Sequence, residues 1–483
     1  MQVQVEVLSQ SEMDQVHDCT LRILMHTGLR VESSRARKIL GEAGAQIDEN
    51  KHIVRIPPAL VEEALRAAPR YFTLGGRRPG WYWPMNNGDC TLLADGEARS
   101  VVDAETGERR AGTEADWLKA TQLIDAIDEI GVYWRMVSAT SPQDSLEWKV
   151  RYWRNVFTHF SKHVQDSTET PEQTRWLLEM LQIIFGGKEA VRALKPLSFL
   201  LTPVSPLVIE GPYTDSYLEA IDWGIPVAVM PMPIMGLTSP ARLIATTVQG
   251  NCEVLAMLCL IQSAAPGTPF IYAPALSVAE PRTGRYTGGA VEHALLAVSA
   301  TQMGRFYNLP VEASTGGSHD YQPGIQAGYE RAINWTLPSM AWPDILVGPG
   351  LFEGSTVLCY EQLCLDVEVF RYDRRLHTGI GTERDQWLEE VIARTGPGGN
   401  FLTHPSTRDA LRRGEWYLGN LGEAEIYPKK LNLLEEVRAQ IERILAARQP
   451  LPFDPQVEKE LNNLEKRALA FSAEHPTYQE SHS

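Results

Sequence analysis

Between Pro226 and Glu330 short apolar runs alternate with long segments of helical spacing, and this alternation limits the fold more than any other feature of the chain. Pro226–Met232, Phe270–Leu276 and Pro310–Ser314 have the length and apolar content of buried strands. Pro240–Ala264 and Gly289–Tyr307 separate them and carry apolar residues every three or four positions, the repeat of a helix. Strand, helix, strand, helix, strand predicts parallel β/α units, because parallel strands need a crossover and a helix supplies it. In such folds the loops leaving the strand C-termini carry the site.

The same rhythm extends in both directions. Helices are predicted at Glu114–Ile127, capped by Thr113, and at Ser145–Phe160, Glu172–Phe185, Pro212–Trp223 and Thr356–Arg371. Ile325–Ala341 is a further helix, with a break expected near Pro338. Strands are predicted at Val132–Val137, His163–Gln165, Leu197–Thr202 and Ile345–Val347, and Asn400–Leu402 is the candidate for the remaining one. Ahead of them, Ser11–Thr27, Arg35–Ala43 and Pro57–Ala67 read as helices. Tyr71–Leu74, Thr91–Ala94 and Ala98–Val102 read as short strands joined by glycine turns. The aromatic run Trp81–Pro84 suits core packing or a lid. The expected architecture is α/β: a TIM-type (β/α)8 barrel over 113–430, an N-terminal α+β extension over 1–112, and a C-terminal helix and tail over 431–483.

Composition narrows the partners. Lys and Arg total 45 against 61 Asp and Glu, a net charge of −16, which argues against nucleic acid and mildly favours cationic ligands. Six cysteines without CxxC spacing suit a reduced, cytoplasmic chain better than a disulfide framework. Met1–Gln10 lacks the basic start and apolar core of a signal peptide, and the apolar run Val254–Ile261 is too short to span a bilayer, so no membrane is expected. Zinc, phosphate, dinucleotide and nucleophile-elbow motifs are absent, as is a DXHXXG cobalamin signature.

GNCEVLAMLCLIQSAAPGTPFIY, then RTG, a glycine-rich turn and PGIQAGYE, resemble the trimethylamine methyltransferase family. GPGLFEGSTVLCYEQLCLDVEVF and GGNFLTHPSTRDALRRGEW extend the likeness downstream, and TGERRAGTEADW and THFSKHVQDST extend it upstream. The resemblance implies a methyltransferase that moves a methyl group from an amine to the Co(I) corrinoid of a separate corrinoid protein. It implies that this chain binds no cofactor of its own, and a homo-oligomer is expected. Counting back from QAGYE places Tyr321 near the position where the family's trimethylamine enzymes carry pyrrolysine, a residue this chain lacks. That departure points to a quaternary amine of the glycine betaine kind. A quaternary nitrogen is already cationic and leaves as a neutral amine, so it needs orientation rather than an electrophilic activator.

The candidate site residues follow from strand ends. Glu312, His319 and Asp320 are the candidates for catalysis. Trp134, Tyr272, Tyr321 and Phe352 could cage an ammonium by cation–π contact worth about 0.5–2 kcal/mol per ring, and Glu353 and Gln326 join them as substrate-binding candidates. The resemblance puts a basic residue near Glu312 in many relatives, so an acid there argues against a substrate carboxylate docking at that point. Two other functions remain open: transfer from a methylated corrinoid to tetrahydrofolate, which needs a pterin-binding Asp/Asn set that the sequence does not place, and a non-catalytic amine-binding barrel.

Overall fold

A computed structural model describes residues 3–103, 106–138, 145–417, 419, 421, 432–449 and 451–475. Eight parallel strands form one sheet whose neighbours run almost in chain order. We number them β1 (Thr91–Leu93), β2 (Ile130–Tyr133), β3 (His163–Asp166), β4 (Leu197–Leu201), β5 (Val227–Val229), β6 (Phe270–Tyr272), β7 (Glu312–Ser314) and β8 (Ile345–Val347). A parallel bridge between Tyr272 and Val311 joins the two outer strands and brings the sheet round into a barrel. The main helices are α1 (Glu114–Ala126), α2 (Leu146–His159), α3 (Pro171–Phe185), α4 (Gly211–Glu219), α5 (Leu243–Ala264), α6 (Val291–Phe306), α7 (Ile325–Asn334) and α8 (Tyr360–Thr378). The TIM-type barrel expected from the alternation is therefore present.

Two expectations need correction. The eighth strand is not Asn400–Leu402, which is irregular; it is Thr91–Leu93, paired with β2 on one side and β8 on the other. The barrel thus begins inside the segment 1–112. Glycine turns around Thr91–Leu93 mimic those of a hairpin, and nothing local distinguishes a barrel strand from a hairpin strand of the same length. The helix from Ile325 ends at Asn334 and a second short one, Thr336–Met340, follows, so the break falls at Trp335 and not at Pro338. Pro338 sits in the first turn of the second helix, where its missing N–H costs nothing.

Alternation along each strand divides the core in two. Leu93, Val132, Leu200, Ala228, Ile271, Ile345 and Val347 fill the barrel interior as one apolar cluster. Their neighbours in sequence, such as Leu92, Tyr133, Phe199, Val227, Tyr272 and Leu346, point into the helix layer. Helix α5 is long and apolar enough to cross a membrane by length and composition, but it is mostly buried and packs against the helices Gln10–His26 and Pro58–Ala67.

The N-terminal segment closes the bottom of the barrel. Thr73–Gly75 and Tyr82–Pro84 form a hairpin whose Phe72, Leu74, Trp83 and Met85 pack on the interior cluster. The aromatic run Trp81–Pro84 is thus part of a basal plug. Gly76 makes this possible: a Cβ there would lie 2.6 Å from the Lys162 backbone. Beneath the apolar layers, His163 Nε2 and Ser198 Oγ lie 2.9 Å apart, and His163 Nδ1 is 3.1 Å from the Gly75 carbonyl. Burial drops this imidazole to about 4, so it is neutral. At the other end, Ser100–Val102, Arg109–Ala111, Leu351–Phe352 and Val357–Leu358 form a four-stranded cover. Helices Leu433–Ala447 and Pro455–Glu474 pack outside α1, α8 and α2, α3, the latter anchored by Arg154 to Glu458 and, at 2.7 Å, to Glu465.

Because β1 lies at Thr91–Leu93, removing residues 1–112 takes out one stave and the basal plug together. Such a fragment is expected to lose its cooperative thermal transition and to show exposed apolar surface by dye binding. A full cooperative melt in the fragment would show that the barrel closes without β1.

Candidate functional site

The C-terminal ends of the strands divide the expected residues into an inner and an outer group. The inner group centres on Glu312. It opens β7, is 1% exposed, and follows the alternation into the barrel. Gln165, two residues after His163 on β3, faces it: Gln165 Nε2 donates to Glu312 Oε2 at 2.8 Å. The remaining oxygens, Gln165 Oε1 and Glu312 Oε1, are buried with no partner among the described residues. Asp95, just past β1, adds negative potential here. Trp134, just past β2, packs half-buried on the interior cluster.

Burial, reinforced by Asp95 and opposed by the Gln165 hydrogen bond, lifts the Glu312 carboxyl to about 8. Burial likewise lifts Asp95 to about 6, against a hydrogen bond from the Gly96 backbone and with help from Glu97. Two acids near each other in a desolvated mouth resist being charged together. A cation arriving between them would reverse that preference and draw protons off.

The outer group lies over the mouth, where the loops after β6, β7 and β8 meet. Ser318 Oγ and the His319 N–H both donate to Glu330 Oε2, at 2.5 and 2.8 Å, and His319 Nδ1 lies 3.1 Å from Glu330 Oε1. Gln326 Nε2 donates to the same Oε1 at 3.1 Å. Burial raises the Glu330 carboxyl, but these four interactions outweigh it and the pKa falls. His319 and Glu353 line one cleft of about 330 Å³ with Glu280, Arg285 and Tyr286. Glu353 is paired there with Arg109 at 2.7 Å. The loops fit closely because glycines stand where they meet: a Cβ on Gly316 would sit 2.5 Å from the Gly288 carbonyl, and one on Gly289 2.3 Å from His319 Nδ1.

Tyr272 and Phe352 are placed away from the mouth. Tyr272 is outward by alternation, and its hydroxyl donates to Asn251 Oδ1 at 2.9 Å while Asn251 Nδ2 donates to Tyr307 at 2.9 Å. Phe352 is fully buried under the Arg331 guanidinium, 4.9 Å away, within a cluster that includes Val102 and Ala327. Asp320 turns back on its own loop, accepting from the Tyr321 N–H at 2.8 Å, and Tyr321 is 41% exposed. Thus Glu312 and Trp134 both face the barrel interior, His319, Gln326 and Glu353 come together above it, and Tyr272 and Phe352 join neither.

Three residues at the mouth were not singled out as site candidates from the sequence. Gln165 was visible as a strand end. Asp95 was hidden in a glycine turn and becomes a mouth residue only once Thr91–Leu93 is a barrel strand. Tyr286 had no sequence signal; it reaches in from the loop after β6 and is near enough to Asp95 for that carboxylate to raise its phenol, second to burial.

A family model described as trimethylamine methyltransferase (MTTB) matches residues 2–471. The chain belongs to this family. It is therefore a methyltransferase, and the motif resemblance holds over nearly its whole length. A trimethylamine methyltransferase from Desulfitobacterium hafniense is 30% identical over 84% of this chain and 81% of its own length. A glycine betaine methyltransferase from the same species is 27% identical over 94% of this chain and 95% of its own. Among solved structures, the Methanosarcina barkeri monomethylamine methyltransferase superposes with a TM-score of 0.50 at 11% identity, over 91% of this chain and 95% of that one, a likeness of fold.

Two measurements check the inner site. The Glu312 carboxyl shifts from an ordinary 4.5 to about 8 on folding, so the folded chain holds this proton longer. Stability should then fall as pH rises from about 4.5 through 8. Glu312→Gln should flatten that slope in denaturant titrations at several pH values; an unchanged slope would mean that Glu312 ionises normally. Tyr272→Phe should cost about 0.5–1.5 kcal/mol of stability through the lost Asn251 bond while leaving the apparent KM for substrate unaltered. A raised KM at full stability would return Tyr272 to the site.

Proposed function

We propose that this methyltransferase takes a methyl group from a quaternary ammonium held in the barrel mouth and passes it to the Co(I) corrinoid of a separate, cognate corrinoid protein in the cytoplasm. The observation that carries the reading is the buried Glu312–Gln165 pair, with unpartnered oxygens and a nearby second acid, inside a barrel whose family transfers methyl groups from amines. A buried carboxyl with no cationic partner is costly by itself, and an ammonium supplies the missing counter-charge. Trp134, packed on the same interior, is the ring proposed to meet the ammonium.

The corrinoid is the methyl acceptor and hence a substrate of this chain. The rim supports its approach: Val204, Met232 and Leu237, in the loops after β4 and β5, are 43%, 47% and 55% exposed and offer an apolar border to a flat macrocycle. In the transfer, the cobalt lone pair forms a Co–C bond as the C–N bond breaks. The bonding pair goes to nitrogen, which leaves as a neutral tertiary amine. This chain's part is to orient the N–CH3 bond and to exclude water. Trimethylamine, neutral at nitrogen, would have to expel a strongly basic amide anion. His319, Asp320, Tyr321, Gln326 and Glu353 are proposed to orient the non-methyl end from the loops above, with Glu330 holding His319 in place.

Incubation with a reduced cognate corrinoid protein should give methyl-Co(III), seen by its visible spectrum, when a quaternary amine is present. Trimethylamine should react far more slowly. Equal rates on trimethylamine would sink the argument from leaving-group charge, and affinity for amines without methyl transfer would favour a non-catalytic binding barrel.

A further inference from the structure

We propose that the mouth selects a small quaternary ammonium that carries no carboxylate, and that Glu312 and Asp95 are the residues that reject a carboxylate-bearing amine. The inference rests on the methyl-donor reading above and adds the chemical class of the donor.

Two acids, Glu312 and Asp95, stand at the inner end. The polar partner between them and the basal His163 is the neutral amide of Gln165. The surrounding interior is aliphatic, with Val132, Leu200, Ala228, Ile271 and Val347. A carboxylate placed here could be tolerated only while both acids keep their protons, whereas an ammonium is stabilised by their ionised form in a medium that screens poorly.

Among the described residues, several cations on the strand C-terminal side are engaged. Arg135, just past β2, is paired with Glu97 at 2.8 Å and lies over the rings of Trp148 and Tyr152. Arg109 is paired with Glu353 at 2.7 Å, and Lys149 with Glu169 at 2.9 Å. Arg331 is bound to Asp366 at 2.6 Å, on the far side of the buried Phe352. Residues 139–144, Ala-Thr-Ser-Pro-Gln-Asp, contribute no lysine or arginine to the chain. Arg285 lines the outer cleft together with two acids, Glu280 and Glu353, and Glu280 is paired with Arg282 at 3.2 Å. A short betaine seated with its nitrogen beside Glu312 would thus present its carboxylate to acids, whereas an alcohol or a fourth methyl in that place meets no repulsion.

The full-length chain is titrated by calorimetry with choline, tetramethylammonium, glycine betaine and γ-butyrobetaine, the last long enough to test Arg285. The same four are assayed as methyl donors to a reduced corrinoid protein. Choline and tetramethylammonium are expected to bind at least about tenfold tighter than glycine betaine near neutral pH, and to release protons to the buffer as they bind. Glu312→Gln and Asp95→Asn should each narrow that ratio, chiefly by weakening the two cations. If Glu312→Gln does not fold, Asp95→Asn carries the comparison. Three results would each overturn the inference and leave the methyl-donor reading intact. One is glycine betaine binding as well as choline; another is a ratio unmoved in variants that keep the wild-type melt. The third is a preference for γ-butyrobetaine that Arg285→Gln abolishes. Failure of all four amines both to bind and to donate would overturn that reading as well.

Discussion

The period of two in the strands of a closed barrel governs this molecule. Once Tyr272 and Val311 bridge the outer strands, every strand has one face inside and one outside, and a side chain's fate is decided by the parity of its position. That parity sends Ile271 inward and Tyr272 outward, and it sends Glu312 inward between an outward Val311 and an outward Ala313. The interior is narrow and apolar, so a carboxyl delivered there is stripped of water. Its raised pKa and its dependence on Gln165 follow from that placement.

The two ends of the barrel treat polar groups differently. At the bottom, His163 and Ser198 satisfy one another and the Gly75 carbonyl, and the hairpin below seals them in. At the top, Gln165 and Glu312 each keep one buried oxygen without a partner among the described residues. A buried polar atom left unsatisfied is destabilising, and an incoming ligand can supply the missing partner. The asymmetry agrees with the loops that crowd over the top and with the general placement of sites in such barrels.

Over the mouth, the ordering is done by glycine and by one acid. Gly316 lets the loops after β6 and β7 meet backbone to backbone at Gly288, and Gly289 leaves room for the His319 ring and the Glu330 carboxylate. Glu330, reaching up from α7, gathers Ser318, His319 and Gln326. The segment around His319 is therefore held against the helix, and its histidine ring is presented to the cleft with a defined orientation.

Local sequence determined a good deal: the helical and strand periods from Glu114 to Val347, the barrel class, the family motifs, and Glu312 and Trp134 as residues at strand ends. These rest on information contained within a dozen neighbouring residues, where apolar spacing and turn chemistry act. Tertiary structure alone decided the rest. Closure required a partner for β2 and β8, and Thr91–Leu93 filled the gap although it lies hundreds of residues from β8 and reads locally as a hairpin strand. That single pairing turned Asp95 from a turn residue into a mouth residue. Parity within the closed barrel removed Tyr272 from the site, and the packing of the cover over Arg331 removed Phe352. Strand pairing and the facing of a side chain are properties of two or more distant segments at once, and no single stretch of sequence contains them.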